Sequence, residues 1–306
     1  SQNAQHAHPR RRRRRKAKLS FDMPGVQQPG LTKKPSWKRH RLHAPAVCLD
    51  GSPATIYIRP PQSSSPAATK SWVLFLEGGG WCQSPVDCVA RMQTPYGSAS
   101  TYRQQVTSPG MSAGYWHPPH ANNPIAEEFA TSTLVHFKYC DGASFAGQAM
   151  STTLSPRAGE LRAGSQTVAA GEPLTVTWAG RAILQSAIEL LIMSHGLGSA
   201  TDVLLSGCSA GGLGALLAAE AVRDWLQGAD APLKKFKVAV WSGIFPHLPH
   251  SGYTAAMRNI YSFANVSAAN ACRHGRHALE PWRSCLPQLI DWLIAWLSLG
   301  GHASHT

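Results

Sequence analysis

Fifteen residues constrain this chain more than any others: Val203-Leu-Leu-Ser-Gly-Cys-Ser-Ala-Gly-Gly-Leu-Gly-Ala-Leu-Leu217. A short apolar run at 203–205 predicts a buried strand. Gly207-x-Ser209-x-Gly211 follows at once, and an Ala/Leu-rich run over 213–222 predicts a helix. Strand, sharp turn and helix form the context in which G-x-S-x-G is a nucleophile elbow rather than a chance Ser/Gly turn. Glycine is needed at 207 and 211 because a Cβ there would collide with the neighbouring strand or helix. The turn lifts the Ser209 hydroxyl out of the sheet edge and aims the N-terminus of the next helix at it.

A second segment asks for the same chemistry. Trp72-Val-Leu-Phe-Leu76 reads as a buried strand, and Glu77-Gly-Gly-Gly-Trp81 follows it directly. A glycine run at the end of an early strand lets backbone N–H groups approach a developing oxyanion. The expected donors are Gly79 and Gly80, joined by Ala210 after the nucleophile. A flexible turn would explain the glycines alone. The two segments together, in this order, argue for acyl transfer at Ser209.

Elsewhere, alternating or apolar runs predict strands over 55–59, 133–138 and 237–241. A hairpin loop is expected at 60–69, a long surface loop at 93–120 and an insertion loop at 146–175. A helix is predicted over 179–195, with Ile183, Ala187, Leu190 and Leu191 on one face and Gly196 ending it. Strands alternating with helices imply an α/β fold, a mostly parallel sheet with helices on both faces. Ligands of such sheets bind at the carboxyl ends of the strands, where Gly79, Asp141 and Ser209 fall. There Trp81 either stacks on a sugar face or lines the cleft wall, and Asp141 either orients its loop or binds substrate hydroxyls. His247 and His250 read as solvated loop histidines.

Charge divides the chain. Of a net +13, residues 1–45 hold +12, with 13 Lys/Arg, including Arg10 to Arg15, against Asp22 alone. Six adjacent arginines repel one another and bury nothing, so residues 1–45 are expected to be a disordered basic tail and 46–306 the folded domain. The tail is either a solvated linker or a contact for a polyanion, with an acidic polysaccharide, nucleic acid, nuclear import and an anionic membrane as the candidates. With only Phe21 and Trp37 as aromatics it is poorly suited to base stacking, so no specific nucleic-acid binding is expected. No apolar run reaches the ~18 residues of a membrane span; the run at 286–299 is broken by Asp291 and fits a packed amphipathic helix better. The chain starts at Ser1 without an apolar leader, so a signal peptide is expected to be absent from it. No cofactor and no metal are expected, since Cys82-x₅-Cys88 is not a zinc spacing. Asn265-Val-Ser267 is an N-glycosylation pattern.

Four strings resemble the pectin acetylesterase family of plants and algae, whose animal relative is the carboxylesterase Notum. They are Cys48-Leu-Asp-Gly-Ser-Pro53, Trp72 through Cys82, Tyr139-Cys-Asp-Gly-Ala-Ser-Phe145 and Leu205-Ser-Gly-Cys-Ser-Ala-Gly-Gly-Leu213. Met257-Arg-Asn-Ile-Tyr261 is a weaker match. The resemblance covers roughly residues 46–290. It implies an α/β-hydrolase-like fold and a secreted, cell-wall serine esterase removing O-acetyl groups from pectin. It pairs Cys48 with Cys140 and Cys82 with Cys88. Cys272 with Cys285 is a plausible third pair, leaving Cys208 free. The alternatives are a Notum-like protein deacylase and an impaired or non-catalytic member. The last follows from a departure: beyond Cys285-Leu-Pro-Gln288 the family reaches a triad Asp and His, and residues 289–306 offer no counterpart. Asp291 comes too early, and His302 and His305 lack the family's context. The chain as it stands is therefore expected to be cut short at its C-terminal end and catalytically crippled, since loss of a triad member leaves only ~10³–10⁴-fold catalysis over water.

Overall fold

The computed structural model describes residues 36–61, 63–110, 131–148, 152–154, 162–163, 166–167, 174–245 and 252–266. Its centre is a seven-stranded sheet made of β1 (Trp37–Arg41), β2 (Thr55–Arg59), β3 (Ser71–Leu76), β4 (Gln105–Val106), β5 (Thr133–Phe137), β10 (Asp202–Cys208) and β11 (Lys235–Trp241), in the order β11-β10-β3-β5-β2-β1-β4. From β11 to β5 every pairing is parallel; from β5 outward through β2 and β1 to β4 every pairing is antiparallel. Two small antiparallel ribbons pair β6 (Thr152–Leu154) with β9 (Leu174–Val176) and β7 (Arg162–Ala163) with β8 (Gln166–Thr167). They lie in the segment expected to be an insertion loop.

Among the described residues five α-helices occur: α1 (Pro66–Thr69), α2 (Pro85–Met92), α3 (Gly180–His195), α4 (Ala210–Gly228) and α5 (Gly252–Phe263). In α3, Ile183, Leu184, Ala187, Ile188 and Leu191 form a buried stripe at helical spacing, while Leu190 is half-buried at its margin. Fully burying a large aliphatic side chain contributes roughly 1.5–3 kcal/mol, so this stripe rather than helix propensity holds α3 in place. Gly196 ends it at φ +87°, its N–H donating to the Leu191 carbonyl.

The stripe packs with Ala215, Val222 and Leu226 of α4 onto one face of the sheet, through Ile56, Leu74, Val135, Phe137, Val203 and Leu205. The other face carries a smaller cluster of Trp37, Tyr57, Val73, Phe75, Leu134 and Leu204. Among the described residues both long helices therefore cover one face of the sheet.

Two expectations change. The fold starts before residue 46: β1 occupies 37–41, within the expected basic tail. Lys38 and Arg41 are exposed while Trp37 is buried, so a strand near the sheet edge carries cations to solvent and one ring to the core. Residues 1–35 lie outside the described residues. Nor do residues 60–69 form a hairpin, because β5 separates β2 from β3. The connection contains α1, capped by Ser65 accepting from Ala68 N–H with Pro66 opening the first turn.

Candidate active site

Ser209 stands between β10 and α4 at φ 54°, ψ −124°, a conformation L-residues rarely adopt. Its N–H donates to the Trp241 carbonyl at 2.8 Å, and its carbonyl accepts from Leu213 N–H at 3.0 Å. The end of β11 and the first turn of α4 thus over-determine the turn. Both motif glycines are required: a Cβ on Gly207 would lie 2.3 Å from Gly211 O, and one on Gly211 would lie 2.2 Å from Leu76 O. Ala210, fully buried, opens the helix, so its N–H is one of the donors a helix N-terminus leaves unpaired.

The glycine run meets the elbow directly. A Cβ on Gly78 would lie 2.1 Å from Cys208 O and 3.0 Å from Ser209 Cβ. Beyond it, the carbonyls of Gly79 and Gly80 are both fastened on one side. Arg91 of α2 donates to Gly79 O and, at 3.4 Å, to Gly80 O; the Tyr139 hydroxyl donates to Gly80 O at 2.7 Å. A trans peptide sets its N–H opposite its C=O. The N–H groups of Gly80 and Trp81 therefore face away from Arg91 and Tyr139. Of the donors expected from the sequence, Gly80 has its N–H direction fixed in this way, and so does Trp81.

Residues 139–147 buttress both parts. Ser144 and Phe145 have positive φ (56° and 55°), and Asp141 Oδ1 holds this turn by accepting from Phe145 N–H at 3.2 Å. The Tyr139 hydroxyl accepts from Ser144 N–H, and Ser144 Oγ accepts from Trp81 Nε1 at 2.8 Å. On the other side, the Ser144 carbonyl would lie 2.5 Å from a Cβ on Gly214 of α4. Asp141 is fully buried; burial pushes its carboxyl up to about 6, and Oδ2 has no hydrogen-bond partner among the described residues. Asp141 is buried in its own turn, where its carboxylate bonds the backbone of Phe145. Trp81 is half-buried and meets the Phe245 ring edge-on at 4.9 Å, a cleft-wall position.

The Glu77 carboxylate, buried beneath the loop, was not expected. Oε1 takes the Lys138 ammonium at 2.7 Å, and Oε2 accepts from Tyr139 N–H at 3.0 Å. Burial raises the Glu77 carboxyl, but His136 and Lys138 more than reverse this, leaving it below its ordinary value. His136 Nε2 lies 3.7 Å from Oε1, and burial lowers the pKa of the imidazole against the opposing pull of Glu77. Its signal in the sequence was a charged residue between an apolar strand and a glycine run.

Beside the loop, a cleft of about 660 Å³ opens between α2 and α5, with Gly80, Trp81, Asp87, Arg91 and Asn259 on its walls; Ser209 is not among them. Cys48–Cys140 and Cys82–Cys88 are disulfides and Cys208 is a free thiol, as the resemblance implied. Cys272, Cys285, His247, His250, Asp291, His302 and His305 lie outside the described residues. Among the described residues, no histidine or carboxylate bonds to the Ser209 hydroxyl, no group of three metal-ligating side chains occurs, and no helix is long and apolar enough to cross a membrane.

A family model described as Pectinacetylesterase matches residues 36–285, beginning one residue before β1. Pectin acetylesterase 5 of Arabidopsis thaliana is 32% identical over 216 residues, covering 71% of this chain and 43% of the relative. The palmitoleoyl-protein carboxylesterase NOTUM of Homo sapiens is 26% identical over 247 residues, covering 81% of this chain and 42% of the relative. The chain thus spans less than half the length of these curated relatives. Among solved structures, the Wnt deacylase Notum from Drosophila superposes with a TM-score of 0.59 at 25% identity, covering 82% of this chain and 66% of that one. With the family model matched over most of the chain, and with the elbow, the glycine run and both disulfides in one fold, this protein belongs to the pectinacetylesterase family.

Proposed function

We propose that the protein is a serine carboxylic-ester hydrolase that removes O-acetyl groups from pectin or a related polysaccharide. One observation carries the chemistry: Ser209 is held in a strained turn against a glycine loop whose Gly79 and Gly80 carbonyls are fastened by Arg91 and Tyr139. On this proposal Ser209 Oγ attacks the acetyl carbonyl and a base takes the hydroxyl proton. The N–H groups of Gly80, Trp81 and Ala210 hold the resulting oxyanion. Collapse breaks the ester bond, the base returns its proton to the departing sugar oxygen, and water then releases acetate from the acetyl-serine. The base and the acid that orients it come from outside the described residues. The acetyl substrate is favoured over an acylated protein by the higher identity to Pectin acetylesterase 5 than to NOTUM.

The proposal places the protein outside the cell, at the cell wall. Its support is that four of the five described cysteines are paired, and disulfides persist in oxidising compartments. Residues 1–35 carry ten Lys/Arg against one Asp, which suits them to a polyanion such as pectate. That contact should weaken steeply with salt, since exposed charges are screened over about 8 Å at physiological ionic strength.

Acetate release from acetylated pectin, set beside release of palmitoleate from an acylated peptide, tests the function. Acetate release that Ser209→Ala abolishes supports it. Hydrolysis that survives Ser209→Ala, or release from the peptide alone, would overturn it.

A further inference from the structure

We propose that Arg91 is a positioning residue for the reaction, acting through the carbonyl side of the two peptides whose N–H groups would hold the oxyanion. This rests on the esterase function proposed above. The glycine loop has little reason of its own to keep one shape. Gly79 and Gly80 sit at φ +157° and +71°, and a glycine run samples many conformations unless something outside it selects one.

Arg91 makes that selection. Its guanidinium lies over two aromatic rings, 5.6 Å from the centre of Tyr96 and 5.5 Å from that of Tyr139. From there it donates to both Gly79 O and Gly80 O. Among the described residues no carboxylate pairs with it, so its charge is directed at the two carbonyls. Fixing Gly79 O fixes Gly80 N–H, and fixing Gly80 O fixes Trp81 N–H. A cation on the carbonyl oxygen also polarises the peptide and makes its N–H the stronger donor. Lysine, a single compact charge without a planar fork, would not span two carbonyls while also meeting the two rings.

The helix that carries Arg91 is itself tied to the loop. The α2 N-terminus is capped by Ser84 accepting from Asp87 N–H, and Cys88 is bonded to Cys82, the residue after Trp81. Arg91 is one turn beyond Cys88 on the same side of the helix. The disulfide and the guanidinium thus hold the loop from two points one turn apart on one short helix.

The experiment compares Arg91→Met, the milder Arg91→Lys and Tyr139→Phe with the unaltered protein. It measures kcat and KM on p-nitrophenyl acetate, with and without added guanidinium chloride at non-denaturing concentration. It also records the Gly80 and Trp81 amide resonances of ¹⁵N-labelled protein. Loss of one oxyanion donor costs roughly 10²–10³-fold in kcat, so Arg91→Met should lose about 10²-fold with KM near its original value. Guanidinium should restore part of the loss, and Arg91→Lys should fall between. An unchanged kcat in Arg91→Met, or a loss that guanidinium does not relieve in either Arg91 variant, overturns the proposal. If the unaltered protein hydrolyses no ester, the esterase function fails instead. The amide resonances then decide the clamp: shifted Gly80 and Trp81 signals in Arg91→Met with the β10 signals in place support it, and unshifted ones sink it.

Discussion

Gly211 stands so close to Leu76 that a Cβ on it would lie 2.2 Å from the Leu76 carbonyl oxygen and 2.4 Å from that of Glu77. The second residue of the nucleophile helix is thereby set against the end of the strand that leads into the glycine loop. Both obstacles are backbone, so neither can swing aside as a side chain would. The two halves of the candidate site are fixed to each other at this point.

Gly211→Ala should therefore cost more than ordinary overpacking, at or above the upper end of roughly 1–3 kcal/mol. Among the described residues, Gly228 at the far end of α4 has nothing within 4 Å of its missing Cβ. There alanine should stabilise by about 0.4–1 kcal/mol through the unfolded chain. Thermal melts of the two variants read the contrast directly. Equal Tm values would mean that the elbow and β3 part easily.

Ser209 offers a trade between stability and chemistry. Backbone held at φ 54°, ψ −124° stores on the order of 1–3 kcal/mol in a non-glycine residue, while glycine adds roughly 0.5–1 kcal/mol of unfolded-state entropy. Ser209→Gly should thus raise Tm while abolishing hydrolysis. Ser209→Ala, which keeps the Cβ, should abolish hydrolysis without that gain. A lower Tm for Ser209→Gly than for Ser209→Ala would show that no strain is stored at the nucleophile.

Local signals made the elbow legible, because strand, turn and helix follow within twenty residues and each has its own composition. The same logic failed for β1. Lys38, Arg39 and Arg41 have the composition of a charged tail, and only their position near the sheet edge, with Trp37 turned inward, makes a strand of them. It failed again at 60–69, where strands adjacent in sequence are not adjacent in the sheet. In the site, residue types pointed to the glycine run and to the start of the helix after Ser209. Peptide orientation depends on Arg91 and Tyr139, 12 and 59 residues from their bonded partners Gly79 and Gly80, and no local pattern encodes it. Asp141 shows the converse: its place at a strand end was legible, but the direction of its carboxylate was not.

That buried carboxylate predicts a pH effect of definite sign. Asp141 titrates near 6 in the fold against 3.8 ordinarily, because burial disfavours its charge. Between those values the native state binds the proton and the unfolded chain does not, so this group's contribution to stability falls as pH rises from about 4 to 6. Above 6 the cost is complete, on the order of 3 kcal/mol. Asp141→Asn removes the titration and leaves an oxygen for Phe145 N–H. The variant should gain Tm relative to the unaltered protein as pH goes from 4 to 7. Glu77 and His136 titrate in both proteins and drop out of the difference. A difference that stays flat over this range would mean that Asp141 is not protonated in the fold at low pH.

The two disulfides should separate stability from catalysis. Cys48 and Cys140 are 92 residues apart, and the bond ties the segment before β2 to the end of β5. In the chain-entropy model a loop of that length contributes close to 4.7 kcal/mol, whereas the six-residue separation of Cys82 and Cys88 contributes roughly 2 kcal/mol. Replacing Cys48 and Cys140 by alanine should therefore cost most of a domain's usual ~5–15 kcal/mol margin at its lower end. Replacing Cys82 and Cys88 should cost less stability. It should lower kcat more than the small change in Tm accounts for, because it frees α2, and with it Arg91, from the glycine loop. Alkylation of protein isolated from its native source, denatured without reductant, should label Cys208 alone among the five described cysteines. Labelling of all five would mean that the protein matures in a reducing compartment, and the extracellular placement would fall with it.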